Sequence, residues 1–349
     1  MAIVSGAGTN AIIQIASTWG TAVDGGAGDK LAAEITPNFN VEELIRRQIG
    51  SGVHMTQQAV VGNFKPTVSL AMDGGYRNTM DVLIAQFFGT AGAPSETTGG
   101  QADYLHTITF NTTLNAKYVT LAYDTSSTTV MEFPTCAVRS INFSLDDPPG
   151  ILAFTAELLA NTAVTTSTTN SNADLAAATA TDTEVIAYAL EDTFRINASS
   201  GGSLGGGDQY NITGYNLTLT RPQEIFGEIK GATGNSAPLA TGLFEGELTL
   251  NVASLADHTR FTEWAASTAQ KCSLNIQGTQ IGSGVNKAIT INIPKMVLVT
   301  EPQYNLTSEG VNPLTLTYKI IAATANPTGM SSTYPYVTMV NGLSTSLLA

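Results

Sequence analysis

Apolar and polar residues alternate with period two through most of the chain. Ile35, Pro37, Phe39 and Val41 stand between polar neighbours, and so do Phe64, Pro66, Val68, Leu70 and Met72. The same rhythm returns at Ile108 and Phe110, at Val119, Leu121 and Tyr123, at Tyr215, Leu217 and Leu219, and at Ile289, Ile291 and Ile293. Successive side chains of a strand point to opposite faces, so this pattern predicts half-buried antiparallel strands. Helical spacing breaks the rhythm twice. Met80, Leu83, Ile84, Phe87 and Phe88 predict a helix within 76–88, and Leu255, Phe261, Trp264 and Ala265 predict another within 255–266.

Each helix follows a strand, and the two strands match. Val61-Gly62-Asn63-Phe64 with Val68 and Leu70 corresponds to Thr241-Gly242-Leu243-Phe244 with Leu248 and Leu250. Further on, Phe133-Pro134 corresponds to Ile293-Pro294, and the closing strand Leu152, Phe154, Ala156, Leu158 is matched to Leu314, Leu316, Tyr318, Ile320. The order of elements is kept, so the chain reads as written twice. Between the copies, NTAVTTSTTNSNADLAAATATD has the composition of a linker. The expected organisation is a first β domain with an N-terminal arm over 1–161, a linker over 162–181, a second β domain over 182–323 and a loosely patterned extension over 324–349. The arm before Trp19 and the segment Arg46–Val60 bury too little apolar surface to be fixed alone. The glycine-rich stretch Gly201–Asp208 reads as a hairpin tip.

Composition narrows the chemistry. The 349 residues carry 28 Asp plus Glu against 15 Lys plus Arg, a net charge of −13, which argues against gripping nucleic acid by phosphate neutralisation. Only 12% of residues are charged, so the surface is neutral and polar, as suits a protein covered by copies of itself. Cys136 and Cys272 lack a CxxC partner and read as buried, reduced thiols. His54, His106 and His258 form no metal motif and read as surface or half-buried residues, so neither a metal nor any other cofactor is expected. The start has no basic region ahead of an apolar core, and no membrane span is evident, so a soluble product made in the cytoplasm is expected. Asp146-Asp147 ahead of Pro148-Pro149-Gly150 is turn chemistry. A glycan-active enzyme built on that pair has no supporting motif, and the expectation is a protein that is not an enzyme.

The segment Ser17-Thr18-Trp19-Gly20-Thr21-Ala22-Val23 resembles a signature near the start of a tail tube family of long-tailed, siphovirus-type bacteriophages. The run Gly214–Pro222, the later Gly242–Leu250, Ile291-Asn292-Ile293-Pro294 and Pro313-Leu314-Thr315-Leu316 are similar in kind and order to that family's C-terminal half. The resemblance implies an all-β fold with minor α: two tandem β-sandwich or barrel domains, each with a flanking helix. It also implies rings that stack into a hollow tube in the virion tail, with the genome passing through the lumen.

A water-filled lumen needs strands that are polar on the face opposite the core. The residues that meet this condition are Thr36, Asn38, Asn40 and Glu42; Asn63, Lys65, Thr67 and Ser69; Asn216, Thr218 and Thr220; and Glu245, Glu247, Thr249 and Asn251. An ordinary solvated sheet face has the same pattern. Contacts between rings are expected at Trp19 and in the polar insertions Arg46–Val60 and Gln223–Ala240, with Arg46, Arg47, His54, Gln57, Glu228 and Lys230 as candidates. With two domains per chain, three copies would close a pseudo-sixfold ring. Expected partners are further copies of the chain, the tail tip and tail terminator proteins, and the tape measure protein and passing DNA, held without specific binding; no membrane is involved. The competing reading is another β-rich virion or surface protein, such as a decoration protein or adhesin.

Overall fold

A computed structural model describes residues 9–26, 29–46, 58–76, 80–99, 102–113, 116–126, 128–146, 150–180, 182–187, 193–227, 235–253, 258–302 and 314–349; over 42–46 and 58–63 the backbone alone is described. The first half holds β1 (Ala11–Ala16), β2 (Glu34–Asn38), β3 (Val41–Arg46), β4 (Gln58–Phe64), β5 (Thr67–Asp73), α1 (Met80–Phe88), β6 (Gly89–Ala91), β7 (Ser95–Glu96), β8 (Tyr104–Phe110), β9 (Tyr118–Ser126), β10 (Thr129–Leu145) and β11 (Ala153–Ala160). After α2 (Asn172–Ala177) come β12 (Thr193–Ala198), β13 (Gly214–Thr220), β14 (Gln223–Glu224), β15 (Leu239–Ala240), β16 (Glu245–Val252), α3 (Thr259–Ala265), β17 (Gln270–Gly282), β18 (Val285–Leu298), β19 (Leu314–Ile320) and β20 (Tyr336–Asn341).

A central sheet runs β2-β5-β11-β10-β13-β16-β19-β18. Its first four strands and its last four keep the same order, and they meet where β10 pairs with β13, from Ser140 opposite Thr220 to Leu145 opposite Tyr215. Facing it are β1-β9-β10 of the first half and β12-β17-β18-β20 of the second, the latter extended by β8 and β6 of the first. One apolar core joins the two layers: Val68, Leu70, Phe143, Phe154, Leu217, Leu248 and Leu316 from the central sheet pack with Ile13, Leu121, Ile289 and α1.

The long strands β10 and β18 belong to both layers. Each turns between them at a bulge, because Phe133 to Cys136 lies opposite Leu121 to Val119, and Ile293 to Met296 lies opposite Cys272 to Gln270. Pro134 and Pro294 sit inside these bulges. A proline has no N–H to give to a ladder, so the irregularity costs no hydrogen bond there. Counting from the bulges places Leu158 in correspondence with Tyr318, since Leu158 faces Val68 as Tyr318 faces Leu248. The match made from pattern had put Leu158 on Ile320. A slip of two residues leaves strand alternation intact, so pattern alone does not detect it.

Four more segments depart from expectation. Within the stretch before Trp19, Ala11–Ala16 form β1, antiparallel to β9, where a loose arm was expected. Its neighbouring isoleucines point to opposite sides: Ile13 enters the main core, while Ile12 packs with Ala122, Val130, Leu175 and Ala178. Leu175 and Ala178 come from the linker, which carries α2 with Ser171 as its N-cap. Buried Asn170 donates to the Glu132 carboxylate at 2.6 Å, fixing the linker on the covering layer. Gly201–Asp208 is not a hairpin tip, because β12 pairs with β17 whereas β13 pairs with β10 and β16; it crosses from one layer to the other. The C-terminal extension supplies β20, which pairs with β18 of the second half and β8 of the first, with Val337 and Met339 fully buried.

Side chains staple the join between the halves. Arg221, just past β13, is buried and donates to the carbonyls of Phe87 (3.2 Å) and Asn111 (2.8 Å), capping the end of α1 while stacking 5.1 Å from the Phe110 ring. At the end of the linker, Lys287 bonds Asp182 (2.6 Å) and Glu184 (2.7 Å), and Glu184 also accepts from the Thr279 N–H. Partial burial would raise the Glu184 pKa, but the bonds from Lys287 and Thr279 outweigh it and hold the carboxyl below its ordinary value.

R221M is expected to lower the unfolding free energy by about 2–4 kcal/mol, since two carbonyls lose a charged donor. R139A, whose partner Glu157 lies half-exposed at 3.6 Å, should cost less than about 1 kcal/mol. Urea titration of both variants measures the contrast. A carboxyl whose pKa falls on folding contributes stability above its unfolded pKa and loses it as pH falls through the folded value. Thermal midpoints measured from about pH 5 down to pH 3 should therefore drop further for the wild-type chain than for K287M.

Candidate functional site

Across the central sheet, register brings polar residues of the strands from β2 to β19 onto one face, while on β18 Val297 stands opposite Lys319. One row reads Thr36, Ser69, Glu157, Ser140, Thr220, Glu245; the next reads Glu34, Ala71, Thr155, Asn142, Thr218, Glu247, Lys319. A third holds Asp73, Ala153, Ser144, Asn216, Thr249 and Thr317. The opposite face is the core side, with Leu70, Ala156, Ile141, Leu219, Gly246 and Ile320 in one buried row. At Gly246 a Cβ would come 2.9 Å from Ile320 and 3.0 Å from Leu219, so those side chains would have to shift to admit one.

Side chains bridge strands along the polar face. Asn142 donates to Asn216 (2.7 Å) and to Thr218 (2.8 Å), across the join between β10 and β13. Thr315 donates to Asn251 at 3.3 Å. Such exposed cross-strand pairs contribute about 0.2–1 kcal/mol each. Beneath them, burying Phe143 against Leu217 and Ile141 against Leu219 is worth about 1.5–3 kcal/mol per side chain, so apolar contact holds the join and the polar face decorates it. The charges are mixed with an acidic excess: Glu34, Asp73, Glu157, Glu245 and Glu247 against Arg139 and Lys319. Lys319 reaches Glu245 at 4.0 Å.

Of the residues singled out by alternation, Thr36, Asn38, Thr67, Ser69, Asn216, Thr218, Thr220, Glu245, Glu247, Thr249 and Asn251 lie on strands of this face, exposed or half-buried. Asn40 sits past the end of β2 at φ 40°, a conformation Asn tolerates, and donates to the Lys65 carbonyl at 3.2 Å. Lys65 lies beyond β4, with its ammonium 5.9 Å from the Phe226 ring. The side chains of Glu42, Asn63 and Arg46 lie outside the described set, as do residues Arg47, His54, Gln57, Glu228 and Lys230 altogether. Alternation had left out Arg139, Asn142, Glu157, Thr315, Thr317 and Lys319. The signal was there in β19, LTLTYKI, but in β11 the adjacent Leu158 and Leu159 obscure it.

Trp19 packs within its own chain. Its ring lies edge-on to Tyr118 with centroids 4.9 Å apart, and its Nε1 donates to the Asn235 carbonyl at 2.9 Å. Asn235 in turn donates to the carbonyls of Phe64 and Asn161, both at 2.7 Å. Asn235 of the second half is thereby bonded to the first half of its own chain.

Both cysteines are free and buried, and burial pushes their thiols far up. His106 is fully buried, against expectation: its Nε2 lies 3.0 Å from Asn341 Oδ1 and 2.9 Å from the Leu343 carbonyl, because the C-terminal segment covers it. Among the described residues, no group of three or more His, Cys, Asp or Glu could hold a metal ion, and no helix is long and apolar enough to cross a membrane.

No curated protein matches the chain. A family model does: the one for phage tail tube proteins matches residues 8–320 of the 349. With that match over a mostly β chain whose central sheet is polar on one face, the protein belongs to the phage tail tube family, structural components of the virion tail.

Proposed function

We propose that the chain self-assembles into rings that stack as a hollow tail tube, and that the polar face of the central sheet lines the bore through which DNA leaves for the host. The polar face running from β2 across the join to β19 is the observation that carries this reading. Small hydroxyl and amide groups stay hydrated, and the acidic excess repels phosphate, so DNA slides without adhering. Arg139 and Lys319 stand beside Glu157 and Glu245, which leaves little net positive field on the wall.

The two halves act as tandem tube domains, so three copies close a pseudo-sixfold ring. The shared strand order and the paired bulges support this, as does the join at β10 and β13, which has the edge-to-edge form a ring of sheets requires. Tube assembly takes place in the host cytoplasm. The tube ends meet tip and terminator proteins, and the bore holds the tape measure protein before DNA.

Electron microscopy of the purified protein tests the assembly: hollow tubes of uniform width are expected, built from threefold rings with two similar domains per chain. Sixfold rings of whole chains would overturn the tandem arrangement, and discrete monomers or trimeric knobs would overturn the tube. The lining is tested separately. T155K/E247K should leave tubes intact and slow DNA ejection from reconstituted phage, because lysines repeated in every ring add phosphate contacts. Unchanged ejection from intact tubes would remove this face from the bore.

A further inference from the structure

The polar face of the central sheet stops short of the ends of its strands. Two residues further along a strand, a side chain stands on the same face. From Glu245 that step leads to Leu243, from Lys319 to Ile321 and from Ala153 to Ile151. Burial follows the alternation: the neighbours Ile320 and Leu152 are buried, while Leu243 is 87% and Ile151 49% exposed. Beyond Asp73 the step leads to Gly75, and Val185 stands opposite it, 43% exposed, with its neighbour Ile186 buried. The face therefore has one apolar rim at Leu243 and Ile321 and a second at Ile151 and Val185.

A face that turns from polar to apolar at both ends marks where water gives way to a covering. At the first rim, Leu243 and Ile321 line an open groove of about 390 Å³ that continues over Phe110 of the covering layer. The groove thus opens past the strand ends as well as toward the polar face. At the second rim, Ile151 and Val185 lie on a short ribbon in which Ile186 bonds Leu152 and Gly74. Charge distinguishes the two. Near the first, Lys65, Arg139 and Lys319 offset Glu157, Glu224 and Glu245. Carboxylates prevail at the second, where Asp73 and Asp146 stand with Asp182 and Glu184, which share Lys287. Two second rims brought together would set like charges face to face, so the unlike rims are the complementary pair.

We propose that these rims are the contact between successive rings: Leu243 and Ile321 of one copy seat on Ile151 and Val185 of a copy in the next. The occupant is a second copy of this chain, because only a copy brings both the complementary rim and a polar face that resumes beyond it. The bore then stays hydrated on either side of a dry seam. A contact between unlike rims is heterologous and leaves one rim free at each end, which is the condition for a filament that grows by adding rings. The inference rests on the proposed tube assembly.

The rims are blunted separately by L243D/I321D and by I151D/V185D. Each variant, shown to be folded by circular dichroism, should form rings and lose tubes in negative stain. Mixing the two ring preparations should give pairs of rings and nothing longer, since one intact rim of each kind remains. Tubes from either variant, ring pairs from one variant alone, or single rings only in the mixture would overturn the seating. A folded variant that stays monomeric would place its rim inside the ring and overturn it too. A wild-type chain that forms no tubes would remove the tube assembly itself and the inference with it. If a variant does not fold, benzoylphenylalanine at position 243 in mixed heavy and light tubes should cross-link to a peptide containing Ile151 or Val185 of another copy. Capture of other peptides only would count against the seating.

Discussion

The short antiparallel ladder between β10 and β13 is the constraint on which the rest depends. Without it the chain would hold two small sheets, each with an exposed polar face and unpaired edges. With it, the rows of threonine, asparagine and glutamate continue from one half to the other in register, and a single surface results. The ladder is itself secured from the core side. Ile141, Phe143, Leu217 and Leu219 are buried under it, and Arg221 fastens its end to α1. A polar surface as broad as this one is stable only because its reverse is apolar throughout; hydrogen bonds among its exposed side chains are too weak to align it.

The halves are also tied by elements that are not repeated. The linker packs along the covering layer of the first half, where the Glu132 and Val164 backbones exchange hydrogen bonds, and its end is pinned to the second half by Lys287. The strand β20 does the reverse, lying between a strand of the second half and one of the first. Both segments cover strand edges that would otherwise invite misplaced pairing. Family membership accounts for the β-rich architecture, while these ties are particular to a chain that carries both halves on one backbone.

How much of this the sequence disclosed depended on how cleanly each strand faces two environments. β13 and β16 separate core from solvent residue by residue, so their polar faces were legible. The strand β20 is covered by neighbours and begins with two buried residues, Tyr336 and Val337, so its alternation is broken and it looked like loose tail. The same segment hides His106, whose burial no local pattern announces. The helix α2 is six residues long and buries a single leucine, too little periodicity to stand out from its Thr- and Ala-rich surroundings. β1 was mistaken for an arm because Ile12 and Ile13 serve two different clusters, which makes a strand packed on both sides resemble a short irregular run.

The bulges at Pro134 and Pro294 carry a mechanical consequence. Each long strand leaves the covering layer and enters the central sheet as one unbroken backbone, and the change of direction is fixed by a residue that lacks the donor for a straight ladder. Tension applied to the central sheet, as when a wall made of such sheets is flexed, therefore passes into the core along covalent bonds instead of through side-chain contacts that could slide. The two layers are therefore coupled through one backbone at each bulge.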